Sequence, residues 1–318
     1  MELTDSNFLF KRNIRGRARW RLGWRDELGY LFDATLTEPW LIGRTRGSLQ
    51  VLAKKLEVDD NVRALQGSFI LSRDLSESHR LDLRYSYRDL NQPLPPMQDT
   101  SAVIRFAEAQ NPFSTTVSGV RFSWTYDTRV RYLNPTGGML NALTLEYAGG
   151  FLRGETSFIK TTTDTRYYRK LVGEFVLASA LRLGITTGLY SSRSAELISF
   201  ERFWAGGGTT VRGYAERSLG PEDSAGIHRG DVQFIFNTEL RFPIYWLIRG
   251  ALFFDTGNVW GALEDIDTTV HLPSSVGAGL YLDLGALTAG VDYAIPLVSV
   301  PGVLDPNRAF HIRLGSTF

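Results

Sequence analysis

The sequence predicts an all-β protein, a transmembrane antiparallel β-barrel of about 15 to 16 strands, and two observations predict it. Apolar and polar residues alternate with period two over runs of about ten residues or more, longer than the five or six usual in soluble sheets. No run approaches the roughly 18 to 20 apolar residues of a membrane helix, and Arg249 interrupts even Tyr245 to Phe254.

Taken in order, strand-like runs lie near 3–11, 16–26, 29–39, 44–57, 62–74, 78–90, 117–130, 138–149, 155–168, 174–188, 231–243, 247–258, 272–284, 286–297 and 307–318. In the second, Ala18, Trp20, Leu22 and Trp24 alternate with Arg17, Arg19, Arg21 and Gly23. In the sixth, Leu81, Leu83, Tyr85 and Tyr87 oppose Asp82, Arg84, Ser86 and Arg88. In the seventh, Val120, Phe122, Trp124 and Tyr126 oppose Arg121, Ser123, Thr125 and Asp127, and the fourteenth sets Leu287, Ala289, Val291, Tyr293 and Ile295 against Thr288, Gly290, Asp292 and Ala294. A soluble β-sandwich also alternates, but its strands are shorter. In lipid every backbone polar group must be paired, which a closed sheet achieves.

The links support the same reading, because such barrels place short turns on one side of the membrane and long loops on the other. The links 91–116, 189–230, 259–271 and 298–306 are long, whereas 75–77, 244–246 and the Leu284-Gly285 turn are short. With the C-terminus on the short-turn side, this count predicts one further strand ahead of residue 1, for sixteen in the complete protein. Met1 to Arg12 lacks the apolar core and cleavage site of a signal peptide, so the numbering is expected to begin at a mature or truncated end. In the last run Phe310, Ile312, Leu314 and the terminal Phe318 share a face, which resembles the C-terminal sorting signal of outer-membrane proteins.

The net charge of +1 argues against a nucleic-acid partner, and the absence of cysteine fits a chain without disulfides. His79, His228, His271 and His311 form no nucleophile-base grouping and no ligand spacing, so neither an enzyme nor a metal or other cofactor is expected. A passive porin-like channel is the alternative from another class, with Arg17, Arg19, Arg21, Arg84 and Arg88 setting its selectivity. Arg229-Gly230-Asp231 spells an adhesion tripeptide, discounted because Asp231 begins a strand.

Residues 202–220 read RFWAGGGTTVRGYAERSLG, more elaborate than a simple pore loop requires. Val211, Arg212, Gly213 and Tyr214 match the Val-Arg-Gly-Phe/Tyr motif of the BamA/TamA superfamily of outer-membrane assembly and translocation barrels. Ordered matches accompany it: Arg12 to Arg17, Leu36 to Leu41, Thr238 to Pro243 and Phe253 to Trp260. The chain resembles that family over nearly its whole length. Period-two phase independently sets Gln233, Asn237, Glu239 and Arg241 opposite Phe234, Phe236, Leu240 and Phe242, and sets Asp255 opposite Leu252 and Phe254.

The resemblance implies a long extracellular loop folded into the lumen, with Arg212 held by lumen carboxylates, for which phase selects Glu239 and Asp255. Gly206, Gly207 and Gly208 would let the loop turn tightly or approach the wall. It further implies that residues 1–318 form one barrel domain with periplasmic POTRA domains upstream. The implied surroundings are outer-membrane lipid or lipopolysaccharide, and the implied partners are nascent outer-membrane proteins or translocated polypeptides, with accessory lipoproteins. A strand seam, one side of it 307–318, would open to add a client strand. A two-partner secretion exporter, which shares the Arg-Gly loop motif, is a further alternative.

Overall fold

The computed structural model describes residues 2–5, 15–22, 30–56, 62–91, 114–131, 134–189, 201–222, 228–266, 272–283, 288–300 and 310–314. Within them run fifteen strands: β1 (Glu2–Asp5), β2 (Arg15–Leu22), β3 (Tyr30–Ile42), β4 (Thr45–Leu56), β5 (Val62–Asp74), β6 (His79–Asn91), β7 (Ser114–Asp127), β8 (Gly138–Ala148), β9 (Phe158–Lys170), β10 (Val176–Gly188), β11 (Val232–Tyr245), β12 (Ile248–Trp260), β13 (Ser274–Asp283), β14 (Thr288–Pro296) and β15 (Phe310–Leu314). Sheet order is chain order. Helical structure among the described residues is confined to single 3-10 turns such as Gly150–Leu152 and Leu263–Asp265.

Every run read from the sequence corresponds to a strand. The seventh begins and ends about three residues early; past Asp127 the pairing with the β8 side thins to the Thr128 amide on the Met139 carbonyl and an isolated Val130–Gly137 bridge, next to Arg131 at φ 69°. The ninth starts at Phe158; just before it Gly154 bridges Val117 and the Glu155 amide donates to the Thr116 carbonyl. The Trp246-Leu247 turn closes the β11–β12 hairpin, with Trp246 at φ 46°. The Leu284-Gly285 turn, Arg12 to Ile14 and most of the long links 91–116 and 298–306 lie outside the described residues.

The chain divides into two compact units. The first comprises residues 1–125, 144–160 and 187–198. Its strands are apolar on the exposed face and polar on the buried one, the inverse of a water-soluble protein. On β6, Leu83, Tyr85 and Tyr87 are exposed while Ser86 is buried, and on β5, Leu65 and Phe69 are exposed while Ser68 is buried. Glu146 is 2% exposed and is shared by two arginines, Arg88 at 2.6 Å and Arg121 through Nε at 2.9 Å. Nearby Gln50 donates to Asp33 at 3.0 Å and accepts from Arg84 at 3.3 Å.

The second unit comprises residues 126–143, 161–186 and 199–318. The same inversion holds: Leu252, Leu280, Val291, Tyr293 and Ile295 are exposed, whereas Asn237, Glu239, Asp255, Ser275 and Asp292 are buried. A buried face of carboxylates needs partners, since an unpaired buried charge is costly. Arg212, the cation among those partners that Asp255 and Glu239 share, comes from the segment between β10 and β11, which packs on that face. Its apolar side chains Phe203, Ala205, Val211, Tyr214 and Leu219 form a core with Ile235 of β11 and Val259 of β12.

Candidate functional site

Residues 201–222 form a strap held in shape by its own backbone. Phe203 and Gly230 exchange amide-carbonyl hydrogen bonds, and the Leu219 amide donates to the Ala205 carbonyl. Between these clamps the glycine triplet turns the chain, with Gly206 at φ 100° and Gly207 at φ 97°. A Cβ on Gly207 would meet only the movable carboxylate of Glu216, so it is the backbone angle that calls for glycine there. The Thr210 hydroxyl donates to the Gly206 carbonyl at 2.7 Å, and the Gly207 amide to Val211 at 3.2 Å. This tight loop presents residues 211–214 to the sheet.

Arg212 is the largest fully buried side chain of the described residues. Its guanidinium grips Asp255 in a two-pronged fork, Nε to Oδ2 at 2.6 Å and Nη2 to Oδ1 at 2.8 Å, while Nη1 donates to Glu239 Oε1 at 2.8 Å. The Arg212 amide adds a bond to Asp255 Oδ2 at 3.2 Å. Asp292 Oδ1 lies 3.7 Å from Nη1, and the guanidinium carbon sits 3.4 Å above the Phe253 ring centre. All three carboxylate side chains are fully buried. Burial alone would pull the guanidinium's pKa down. Hydrogen bonds to Asp255, then the fields of Asp255, Glu239 and Asp292, outweigh it and hold the group above arginine's ordinary value.

The carboxylates have further partners. Arg241 Nε donates to Glu239 Oε2 at 2.9 Å, and Asn237 Nδ2 to Asp255 Oδ1 at 2.8 Å. Asn237 also donates to the Thr210 carbonyl at 2.7 Å and accepts from Arg182, which donates in addition to the Thr209 carbonyl. Strap backbone and sheet side chains thus form one network, in which each bond polarises its neighbours.

Gly213 and Tyr214 extend the contact. Gly213 adopts φ 87°, and a Cβ there would meet Ala294 and Pro296 of β14 at 3.2 to 3.3 Å. Its amide donates to His311 Nε2 of β15 at 3.0 Å. The Tyr214 hydroxyl donates to the carbonyls of Val298 at 2.7 Å and Ser274 at 3.1 Å, and accepts from the Ser274 amide. Burial pushes the Tyr214 phenol's pKa up, partly offset by backbone hydrogen bonding at Ser274 and Val298. Chemically the assembly is suited to holding: charge-assisted bonds, one cation over a ring and close backbone approach.

The structure brings Val211, Arg212, Gly213, Tyr214, Glu239 and Asp255 into direct or one-partner contact, and places Gly206, Gly207 and Gly208 in the turn that precedes them. Phe310 and Ile312 are separate from this cluster, exposed on the outer side of β15, while Leu314 is described as backbone only and Phe318 lies outside the described residues. Sequence reasoning left Asp292, Phe253 and His311 unassigned. Signals were available for two of them: Asp292 is an acid within an otherwise apolar strand, and Phe253 is an aromatic on the polar phase of β12. His311 carried no such signal, because its partner is a backbone amide remote in sequence.

Comparison with known proteins gives a consistent picture. Residues 9–318 match the model of the Omp85 superfamily domain. The outer membrane protein assembly factor BamA of Nitratidesulfovibrio vulgaris is 30% identical over 207 residues, covering 63% of this chain and 24% of that protein. The sorting and assembly machinery component 50 homolog A of Xenopus laevis is 27% identical over 200 residues, covering 58% and 42%. The chain thus spans less than half the length of either. Among solved structures, BamA from Haemophilus ducreyi lacking POTRA domains 1–3 superposes with a TM-score of 0.77 at 16% identity, covering 99% of this chain and 66% of that one. CdiB from Acinetobacter baumannii gives 0.60 at 14% identity, covering 99% and 55%. The fold is therefore the outer-membrane antiparallel β-barrel class, and the chain is an outer-membrane protein.

Proposed function

The chain belongs to the Omp85 superfamily, and on that premise we propose that it is the barrel domain of an assembly factor that inserts nascent outer-membrane proteins into the membrane. The observation that carries the proposal is the strap: a buried Arg212 clasped by Glu239 and Asp255 in a chain whose curated relatives are named for assembly and sorting. A passive pore gains nothing from a loop that commits its central arginine to three buried carboxylates. The work is positional, with no covalent step: an incoming strand gains backbone hydrogen bonds at a sheet edge while the strap keeps the sheet's inner face in one arrangement. Clients are unfolded outer-membrane polypeptides, delivered by POTRA domains of the full-length protein, with lipid or lipopolysaccharide around the barrel and accessory lipoproteins alongside.

A second reading, a two-partner secretion exporter, is favoured by the likeness to CdiB. One experiment separates them. The full-length protein in liposomes receives a urea-unfolded barrel client, and insertion is read as the heat-modifiable, protease-resistant band. Insertion above that of empty liposomes, lost with Arg212→Ala, supports the assembly reading. Passage of a client into the lumen of the vesicle with no insertion supports the exporter, and neither result with a folded protein overturns both.

A further inference from the structure

We propose that His311 is a positioning residue that locks β15, the last described strand, to the strap through the backbone amide of Gly213. Three consecutive strap residues address different strands. Arg212 binds Glu239 of β11 and Asp255 of β12, Tyr214 binds the start of β13, and Gly213 binds β15. The imidazole is seated between two points of the strap: Nε2 accepts from Gly213 at 3.0 Å, and a Cβ built on Gly208 would lie 3.4 Å from Nδ1.

Among the described residues the ladder of β15 to β14 runs from Ala289↔Leu314 to Tyr293↔Phe310, whereas β11 and β12 pair from Val232↔Trp260 to Tyr245↔Ile248. Phe310 and Ile312 point outward, 64% and 84% exposed, with the Phe310 ring tilted against Tyr293. The bond from His311 to the strap gives this short ladder an inward point of attachment besides its pairing with β14. Through His311, the position of the strap and the attachment of the strand become one variable.

The bond requires an unprotonated Nε2, so the neutral ring carries its proton on Nδ1. A protonated ring would turn an N–H toward the Gly213 N–H. Among the described residues, the charged and titratable groups on this side are Asp292, its register partner on β14, Tyr281 of β13, which donates to Asp292, and Arg212 of the strap, which lies beside Asp292. Asp292 would attract the protonated ring away from Gly213. The lock is therefore sensitive to acid in a way that an apolar contact is not.

This inference deepens the proposed assembly role and rests on it for its consequence, but its test involves no client. Hydrogen exchange by mass spectrometry is followed on the full-length protein in detergent micelles, for peptides covering β14–β15 and β11–β12. His311→Leu is expected to speed β15 exchange by about five-fold or more, the loss of one hydrogen bond, and to leave β11–β12 unchanged. His311→Gln, whose side-chain oxygen can accept from Gly213, restores slow exchange. Acidification from about pH 8 to about pH 5, corrected for intrinsic rates, loosens β15 in the wild type and not in the Gln variant. Equal β15 exchange in wild type and His311→Leu overturns the proposal. So does a Gln variant as loose as the Leu variant, or loosening that spreads equally to β11–β12. A failed insertion assay with the lock intact refutes the assembly role alone.

Discussion

Arg212→Ala removes a guanidinium with three side-chain hydrogen bonds, two to Asp255 and one to Glu239, all inaccessible to water. The surviving bonds are unequal. Glu239 keeps Arg241, and Asp255 keeps Asn237 together with the amide of residue 212. Asp292 loses its nearby cation while Tyr281 still donates to it. Removing one partner of a buried pair costs about 3 to 5 kcal/mol. The retained partners place this case at the lower end, about 3 kcal/mol, or roughly 100-fold in the equilibrium between docked and released strap. Sheet ladders are untouched, so the barrel still forms and shows heat-modifiable migration. Limited proteolysis at Arg217, within the strap, reports docking directly, and its rate should rise by roughly that factor when cleavage samples the open state. Arg212→Lys keeps a charge but loses the fork, and should fall between the two. Unchanged cleavage in Arg212→Ala, with unchanged client insertion, would refute the argument that this clasp holds the strap.

Other consequences are testable by the same means. Arg212→Glu with Asp255→Arg should recover part of the protease resistance that each single substitution loses, a coupling read from a double-mutant cycle. Gly213→Ala should loosen the strap by about 1 to 3 kcal/mol through strain at φ 87° and crowding against Ala294 and Pro296, with Arg212 intact. Tyr214→Phe should cost about 1 to 2 kcal/mol, since burial then leaves the Val298 and Ser274 carbonyls without the hydroxyl. In the first unit, Glu146→Ala strips a shared carboxylate from Arg88 and Arg121. The thermal midpoint should fall by the equivalent of about 2 kcal/mol, discounted because Arg121 is 38% exposed, while strap proteolysis stays at the wild-type rate.

The strands were legible because a wall between lipid and water forces polarity to alternate with the pleat, and that alternation survives in linear sequence. Asp255, Glu239 and Asn237 were placed on the correct face by phase alone. Phase says which way a side chain points and nothing about how far along the neighbouring strand it lies. Asp292 therefore remained one more inward acid, though the β13–β14 and β14–β15 registers bring it beside Tyr281 and His311. Strand ends blurred for a related reason: past Asp127 the regular ladder gives way to an isolated Val130–Gly137 bridge and a positive φ at Arg131, which leave no periodic trace. The strap is irregular throughout, so its position was accessible only through the Val-Arg-Gly-Tyr resemblance and the carboxylates that await it.

A buried arginine is a costly way to fasten a loop, and its energetics show what it contributes. Replacing a buried ion pair by well-packed apolar groups is often neutral or stabilising, so adhesion alone does not call for Arg212. Val211, Tyr214 and Leu219 already supply apolar packing against Ile235 and Val259. Such contacts are non-directional and by themselves set the strap's register less sharply than hydrogen bonds do. The fork on Asp255 and the single bond to Glu239 satisfy their geometry at one position only, because shifting the strap by one residue pair along β12 would leave a charge facing no partner. Apolar packing thus decides that the strap lies on the sheet, and the charge network decides where. A strap that has one permitted position can report that position to each strand it touches, which an equally stable hydrophobic plug could not do.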